Sequence, residues 1–186
     1  GNTLATITSK ALEPPFAPNV ELTTVGEEPS FHAAVIRPHD FNPRQKYPVI
    51  ESVYGGPGPN YVTMSGSRYL QDQWLADQGF IVVRIDGRGT PNRGREWERA
   101  IKGNLIDVPL ADHVAALTAL GERYPEMNME RVGIYGWSFG GYFSAMAVMR
   151  HPELYKAGVA GAPVVQWEDY DTHYTCLLYT SDAADE

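Results

Sequence analysis

Arg131-Val-Gly-Ile-Tyr-Gly-Trp-Ser-Phe-Gly-Gly-Tyr142 is the stretch from which the fold can be read. Val132, Ile134 and Tyr135 read as a short buried strand. Tyr142 to Arg150, rich in Ala and Met, reads as a helix. Between them, Gly136-Trp-Ser-Phe-Gly140 fits G-x-S-x-G. A serine pinned between a strand and a helix sits on a sharp, strained turn that holds its hydroxyl clear of the sheet edge. Glycines two residues to either side leave room for that backbone, because a Cβ there would clash. The start of the following helix favours negative charge nearby, which suits a developing oxyanion. Gly141 adds a second small residue for close packing.

Upstream, the chain alternates strand and helix signals. Val20 to Val25 and Phe31 to Arg37 read as an early strand pair, followed by turn chemistry in Arg37-Pro-His-Asp-Phe-Asn-Pro43. Tyr47 to Tyr54 is a strand with its proline at the entry, and it runs into the rigid loop Tyr54-Gly-Gly-Pro-Gly-Pro59. Ser67 to Gln78 is a helix ended by Gly79, and Phe80 to Ile85 a β-branched buried strand. Asp86-Gly-Arg-Gly89 is a turn that shapes the floor of the site, without a catalytic role. Thr90 to Gly103 reads as irregular and basic. Leu110, Val114, Leu117 and Leu120 recur at helical spacing, so a helix spans about 107–123 and stops at Tyr124-Pro125. Lys156 to Ala160 is the last strand. The strands from residue 47 on are continuous apolar runs alternating with helices. The expectation is a mostly parallel sheet with helices on both faces, and function at the carboxyl ends of the strands. Ser138, Tyr54, Asp86 and the segment after Ala160 all lie at those ends.

A length of 186 residues suffices for one domain with a sizeable core. Hydrophobic content of 43% and charge of 20% are ordinary for a soluble globular protein. A net charge of −8 and a pI of about 5.1 argue against a nucleic-acid partner, which selects basic surfaces. No apolar run reaches the roughly 20 residues of a membrane span. Metal-ligand clusters and a phosphate-binding glycine loop are both missing, so no cofactor is expected. The compartment stays open between cytoplasmic and periplasmic or secreted.

Residues 1–19 lack periodicity, and prolines at 14, 15 and 18 make them an extended linker. At the other end, Cys176-Leu-Leu-Tyr-Thr-Ser-Asp-Ala-Ala-Asp-Glu186 shares nothing with the aromatic segment before it. It resembles the translation of a transposase adapter used in sequencing libraries. The natural protein is therefore expected to be represented only as far as Thr175. Cys176, the only cysteine, then says nothing about redox compartment.

Val53-Tyr-Gly-Gly-Pro57, Asp86-Gly-Arg-Gly89 and Gly136-Trp-Ser-Phe-Gly-Gly-Tyr142 together resemble the prolyl oligopeptidase family of serine peptidases. Ala162-Pro-Val-Val-Gln-Trp-Glu-Asp-Tyr-Asp-Thr-His-Tyr174 is similar to its dipeptidyl peptidase IV branch. Phe139 stands where the family has tyrosine, which keeps the ring. The resemblance covers roughly residues 20–175 and implies part of an α/β-hydrolase domain, with residues 1–19 as the tail of a preceding β-propeller. It implies a peptide substrate: dipeptides with Pro or Ala second are released from peptide N-termini. It is also compatible with a homodimer of the full-length protein.

On this resemblance Ser138 is the nucleophile. The backbone N–H of Phe139 is one oxyanion donor, since the residue after the nucleophile points its amide into the site. The phenol of Tyr54 is the other. Val164, Trp167, Tyr170 and Tyr174 line the specificity pocket, where flat aromatic walls suit a proline ring. The spacing 167, 170, 174 follows one helical face, which fits a core cluster as well as a pocket.

A general base is lacking. In an α/β-hydrolase the triad runs Ser, then Asp or Glu, then His. His32, His39 and His113 precede Ser138; His113 reads as solvated on its amphipathic helix. His151 ends the serine helix, and His173 lies in the pocket segment with no acid strand before it. Asp169 and Asp171 read as surface or subsite groups. Triad acid and base are expected beyond Thr175, so the 186 residues alone are expected to be inactive. Two further readings remain open: an acylaminoacyl peptidase or carboxylesterase on the same fold, and a non-catalytic binding module.

Overall fold

Strand and helix signals in this sequence resolve into one six-stranded sheet. A computed structural model describes residues 5, 10, 12 and 14–170. The strands are β1 (Val20–Val25), β2 (Phe31–Ile36), β3 (Tyr47–Val53), β4 (Ile81–Asp86), β5 (Met127–Trp137) and β6 (Tyr155–Gly161). The helices are α1 (Leu70–Ala76), α2 (Arg95–Arg99), α3 (Asp107–Arg123) and α4 (Phe139–Arg150). The sheet order is β1-β2-β4-β3-β5-β6. β1 and β2 are antiparallel to their neighbours, whereas β4, β3, β5 and β6 run parallel. The expected mostly parallel sheet of an α/β-hydrolase is present.

Side-chain alternation sorts the two faces. Val35, Val83 and Ile85 point to a large core shared with Leu110, Leu117 and Leu120 of α3 and with Phe143 and Ala147 of α4. Ala34, Ile36 and Val82 point the other way, to a smaller core with Tyr69 and Ala76 beside α1. Crossovers between parallel strands place α3 and α4 on one face and α1 on the other.

The chain reverses direction across the sheet at β3. It steps from β3 outward to β4, then returns past β3 to β5 and β6. The crevice at such a switch point opens between the carboxyl ends of the diverging strands. Val53 pairs with Gly136 in the β3–β5 register. Tyr54 therefore leaves its strand one residue beyond the pair and Ser138 two residues beyond it.

Several boundaries differ from expectation. The serine strand starts at Met127, and its register with β3 shifts between Pro48 and Val49. The segment 90–103 contains the five-residue helix α2. The helix expected over 67–78 is a 3-10 turn, Gly66–Tyr69, leading into α1. The last helix starts at Phe139, three residues earlier than composition suggested.

His113 is not solvated. It is 0% exposed, with its Nδ1 2.5 Å from Oε1 of Glu51, itself fully buried in β3. The apolar run of β3 thus carries a polar side chain on each face. On the α1 side, Ser52 donates to the Tyr135 hydroxyl at 3.1 Å, and that hydroxyl donates to Asp72 Oδ1 at 3.3 Å. Asp72 also pairs with Arg84 at 2.5 Å. Burial pushes the Tyr135 phenol up to about 12.

Candidate active site

Ser138 has φ 58° and ψ −119°, a combination that a residue with a Cβ rarely adopts. Its neighbours over-determine that conformation. The Ser138 N–H donates to the Gly161 carbonyl at 2.9 Å, and the Ser138 carbonyl accepts from the Tyr142 N–H at 3.0 Å. A Cβ at Gly140 would collide with the Val53 carbonyl oxygen, and one at Gly136 would collide with the Gly140 carbonyl. These glycines let the first turn of α4 press against the end of β3. The backbone N–H of Phe139, at the first helical position, has no intrahelical acceptor and sits beside the serine.

The loop after β3 is seated on α4 in the same way. A Cβ at Gly56 would run into the Phe139 ring. One at Gly55, where φ is +72°, would lie 2.5 Å from Cδ2 of Phe143. Tyr54 is half-buried, with its ring 5.8 Å from Phe139 and 6.0 Å from Tyr61. Its position is held from the far side by Asp86, which is 1% exposed at the end of β4. The Asp86 carboxylate accepts from the N–H of Tyr61 (2.8 Å), the N–H of Val62 (3.1 Å) and Nδ2 of Asn60 (3.2 Å). Burial raises the Asp86 pKa, and these donors oppose the rise. Arg84 covers Tyr61 from outside, 4.7 Å from its ring centre. The Asp-Gly turn expected to shape the site floor therefore anchors the loop beside Tyr54.

That anchoring has a measurable consequence. Asp86→Asn turns one of the acceptor oxygens into a donor facing backbone donors. It is expected to cost about 1–3 kcal/mol of domain stability, read as a lower chemical-denaturation midpoint. An unchanged midpoint would show that the loop holds itself without Asp86.

Trp167 and Tyr170 join this ring cluster. Trp167 lies 6.0 Å from Phe139, 5.4 Å from Tyr142 and 6.0 Å from Tyr170. Val164 is half-buried three residues after β6 ends at Gly161. Tyr174 lies outside the described residues, as does His173. The helical face read through 167 and 170 is not there. Trp167–Asp169 is a single 3-10 turn, and Tyr170 is extended at φ −85° and ψ 165°. Tyr142 and Tyr61 are ring neighbours that the sequence reading missed. Tyr142 could have been found from its position four residues after Ser138, one helical turn along.

Three of the described histidines are bound to carboxylates elsewhere. His113 is bound to Glu51. His39 Nδ1 lies 2.9 Å from Asp77 Oδ2, and His151 Nδ1 lies 2.8 Å from Glu153. His32 sits on β2. Among the described residues, no three His, Cys, Asp or Glu side chains group as a metal site.

Nucleophile-type serine, adjacent helix amide and strand-end tyrosine thus converge at one switch point, next to an aromatic wall. The sequence model of the prolyl oligopeptidase family matches residues 67–186. The chain belongs to the prolyl oligopeptidase family. Among members of this family, dipeptidyl peptidase 8 of Homo sapiens is 40% identical over 148 residues, covering 78% of this chain and 16% of that protein. Dipeptidyl peptidase 4 of Porphyromonas gingivalis matches with a TM-score of 0.77 and 34% identity over 88% of this chain and 23% of its own. A protein of Bacteroides ovatus ATCC 8483 matches with a TM-score of 0.80 and 36% identity, over 88% of this chain and 24% of its own. The chain thus spans a quarter or less of the length of these prolyl oligopeptidase relatives. The dipeptidyl peptidase IV-like resemblance read from the motifs agrees with these relatives.

Proposed function

We propose that the protein is a serine peptidase that releases N-terminal dipeptides with Pro or Ala in second position. The observation that carries this reading is the strained Ser138 turn, packed through Gly136 and Gly140 onto the end of the strand that carries Tyr54. Ser138 Oγ attacks the scissile carbonyl carbon while its proton passes to a general base. The carbonyl oxygen becomes an oxyanion held by the Phe139 N–H and the Tyr54 hydroxyl. The C–N bond then breaks, the leaving amine takes the proton, and water hydrolyses the acyl-serine. Trp167, Tyr170 and Val164 are the walls against the proline ring in this reading, and Tyr174, outside the described residues, is assigned to the same pocket. The rings of Phe139, Tyr142, Trp167 and Tyr170 already stack edge to face, which leaves flat apolar surface for a ring without an amide donor.

In this reading residues 1–19 are the tail of a β-propeller and its linker, 20–175 are part of the catalytic domain, and 176–186 are adapter-derived. Genomic reads that cross codon 175 into the same residues would remove that last assignment. The triad acid and base lie outside the described residues, and the 186 residues alone do not turn over peptide. Full-length enzyme is expected to hydrolyse Gly-Pro-p-nitroanilide in preference to acetyl-Ala-p-nitroanilide and p-nitrophenyl esters. Preference for the acetylated substrate would favour an acylaminoacyl peptidase, and preference for the ester a carboxylesterase. The full-length protein is read as a homodimer acting on peptides, which sedimentation would test.

A further inference from the structure

Beneath the Tyr54 loop, the core holds three polar side chains that the proposed chemistry does not use. Glu51 in β3 and His113 in α3 are fully buried, and Tyr155 of β6 nearly so. One carboxylate joins all three elements: Oε1 meets His113 Nδ1 at 2.5 Å, and Oε2 accepts the Tyr155 hydroxyl at 2.7 Å. Burial beside that carboxylate raises the Tyr155 phenol well above its ordinary range. Apolar side chains of similar volume would hold α3 to the sheet without the desolvation cost of a buried carboxylate. What they would not do is fix the rotation of a ring. The hydrogen bond at Nδ1 sets the plane of the imidazole.

That ring packs on α4. The imidazole lies 4.8 Å from the Phe143 ring at a tilt of 54°. Phe143 is fully buried in α4, five residues after Ser138. Gly55 also lies against it, where a Cβ would fall 2.5 Å from Cδ2 and 2.9 Å from Cγ of the ring. Gly55 directly follows Tyr54. The imidazole also backs the turn after β4, 3.2 Å from where a Cβ of Gly87 would stand. His113 Nε2 has no hydrogen-bond partner among the described residues, so the Nδ1 bond to Glu51 is the hydrogen bond that orients the ring.

We propose that Glu51 and His113, steadied by Tyr155, are positioning residues for the oxyanion donor Tyr54. They hold Phe143 as the seat of Gly55, and so hold the phenol that follows from it. The proposal rests on the reading of Tyr54 as an oxyanion donor.

The test is a double-mutant cycle in the full-length enzyme with Gly-Pro-p-nitroanilide. His113→Phe keeps a ring against Phe143 and removes the Nδ1 donor. It is expected to lower kcat about tenfold with KM within about twofold, since the loss falls on the transition state. In a Tyr54→Phe background the same change is expected to lower kcat by less than about twofold, because the group being positioned is gone. Tyr155→Phe removes one donor from Glu51 at nearly constant volume. It is expected to lower kcat about threefold, and this loss too should vanish with Tyr54→Phe. That variant carries the test if His113→Phe does not fold. Unchanged kcat in folded His113→Phe or Tyr155→Phe enzyme overturns the proposal. So do losses that multiply with that of Tyr54→Phe, which would mark a general loss of packing. If Tyr54→Phe alone leaves kcat unchanged, the oxyanion reading itself falls and the proposal falls with it. The two failures are thus told apart.

Discussion

Ser138→Ala is expected to lower kcat on Gly-Pro-p-nitroanilide by about a million-fold in the full-length enzyme, with KM little changed. Ser138 is held in a conformation that costs energy, by one hydrogen bond from its N–H, one to its carbonyl, and glycine contacts on both sides. None of these uses the hydroxyl. Alanine can therefore occupy the same turn, and the change removes the nucleophile without removing the site. What remains is binding and oxyanion stabilisation, so a residual rate about 10³–10⁴ above water is expected. Wild-type activity in Ser138→Ala would rule out the acyl-enzyme mechanism. Lost activity together with a lost fold would leave the test to Ser138→Cys or Ser138→Gly.

Tyr54→Phe is expected to cost the second-largest factor, about 10²–10³ in kcat, or about 2.7–4 kcal/mol of transition-state stabilisation. The ring of Tyr54 is packed between Tyr61 and Phe139, and its loop is clamped by Asp86 on one side and by Gly55 and Gly56 on the other. Phenylalanine keeps all of those contacts and loses only the hydroxyl. The loss should fall on kcat rather than KM, because the ground-state carbonyl draws less on the donor than the oxyanion does. A rise in KM at constant kcat would instead make Tyr54 a substrate-packing residue.

Much of this was legible in the residues. The β-branched run from Phe80 to Ile85 marks β4 because both its faces are covered. Periodicity and the Tyr124-Pro125 stop place α3 at the ends observed. The start of α4 was hidden because Gly140 and Gly141 are poor helix formers. Tertiary contact overrides that propensity, since only glycine fits against the Val53 and Gly161 carbonyls. The amino-terminal half of β5, Met-Asn-Met-Glu-Arg131, lacks apolar continuity, so its strand character comes from pairing rather than composition.

His113 shows how a site can be misread. The apolar face of α3 was traced through Val114, which is only half-buried. The buried stripe runs through Leu110, His113, Leu117 and Leu120. Histidine at the three-residue step of that stripe was the available signal. Its partner, Glu51, was masked inside the run Val49-Ile-Glu-Ser-Val53, which reads as apolar. Long-range pairing of two buried polar groups leaves no periodic trace in either segment. The aromatic wall was legible as composition but not as geometry, because Trp167 and Tyr170 meet through a 3-10 turn and an extended residue.

The most direct measurement is covalent labelling of the full-length enzyme with a fluorophosphonate, followed by peptide mass spectrometry. A single stoichiometric adduct on Ser138 is expected, formed in step with loss of Gly-Pro-p-nitroanilide hydrolysis. Hydrolysis abolished while Ser138 stays unmodified, or a folded protein that neither labels nor hydrolyses, would contradict it.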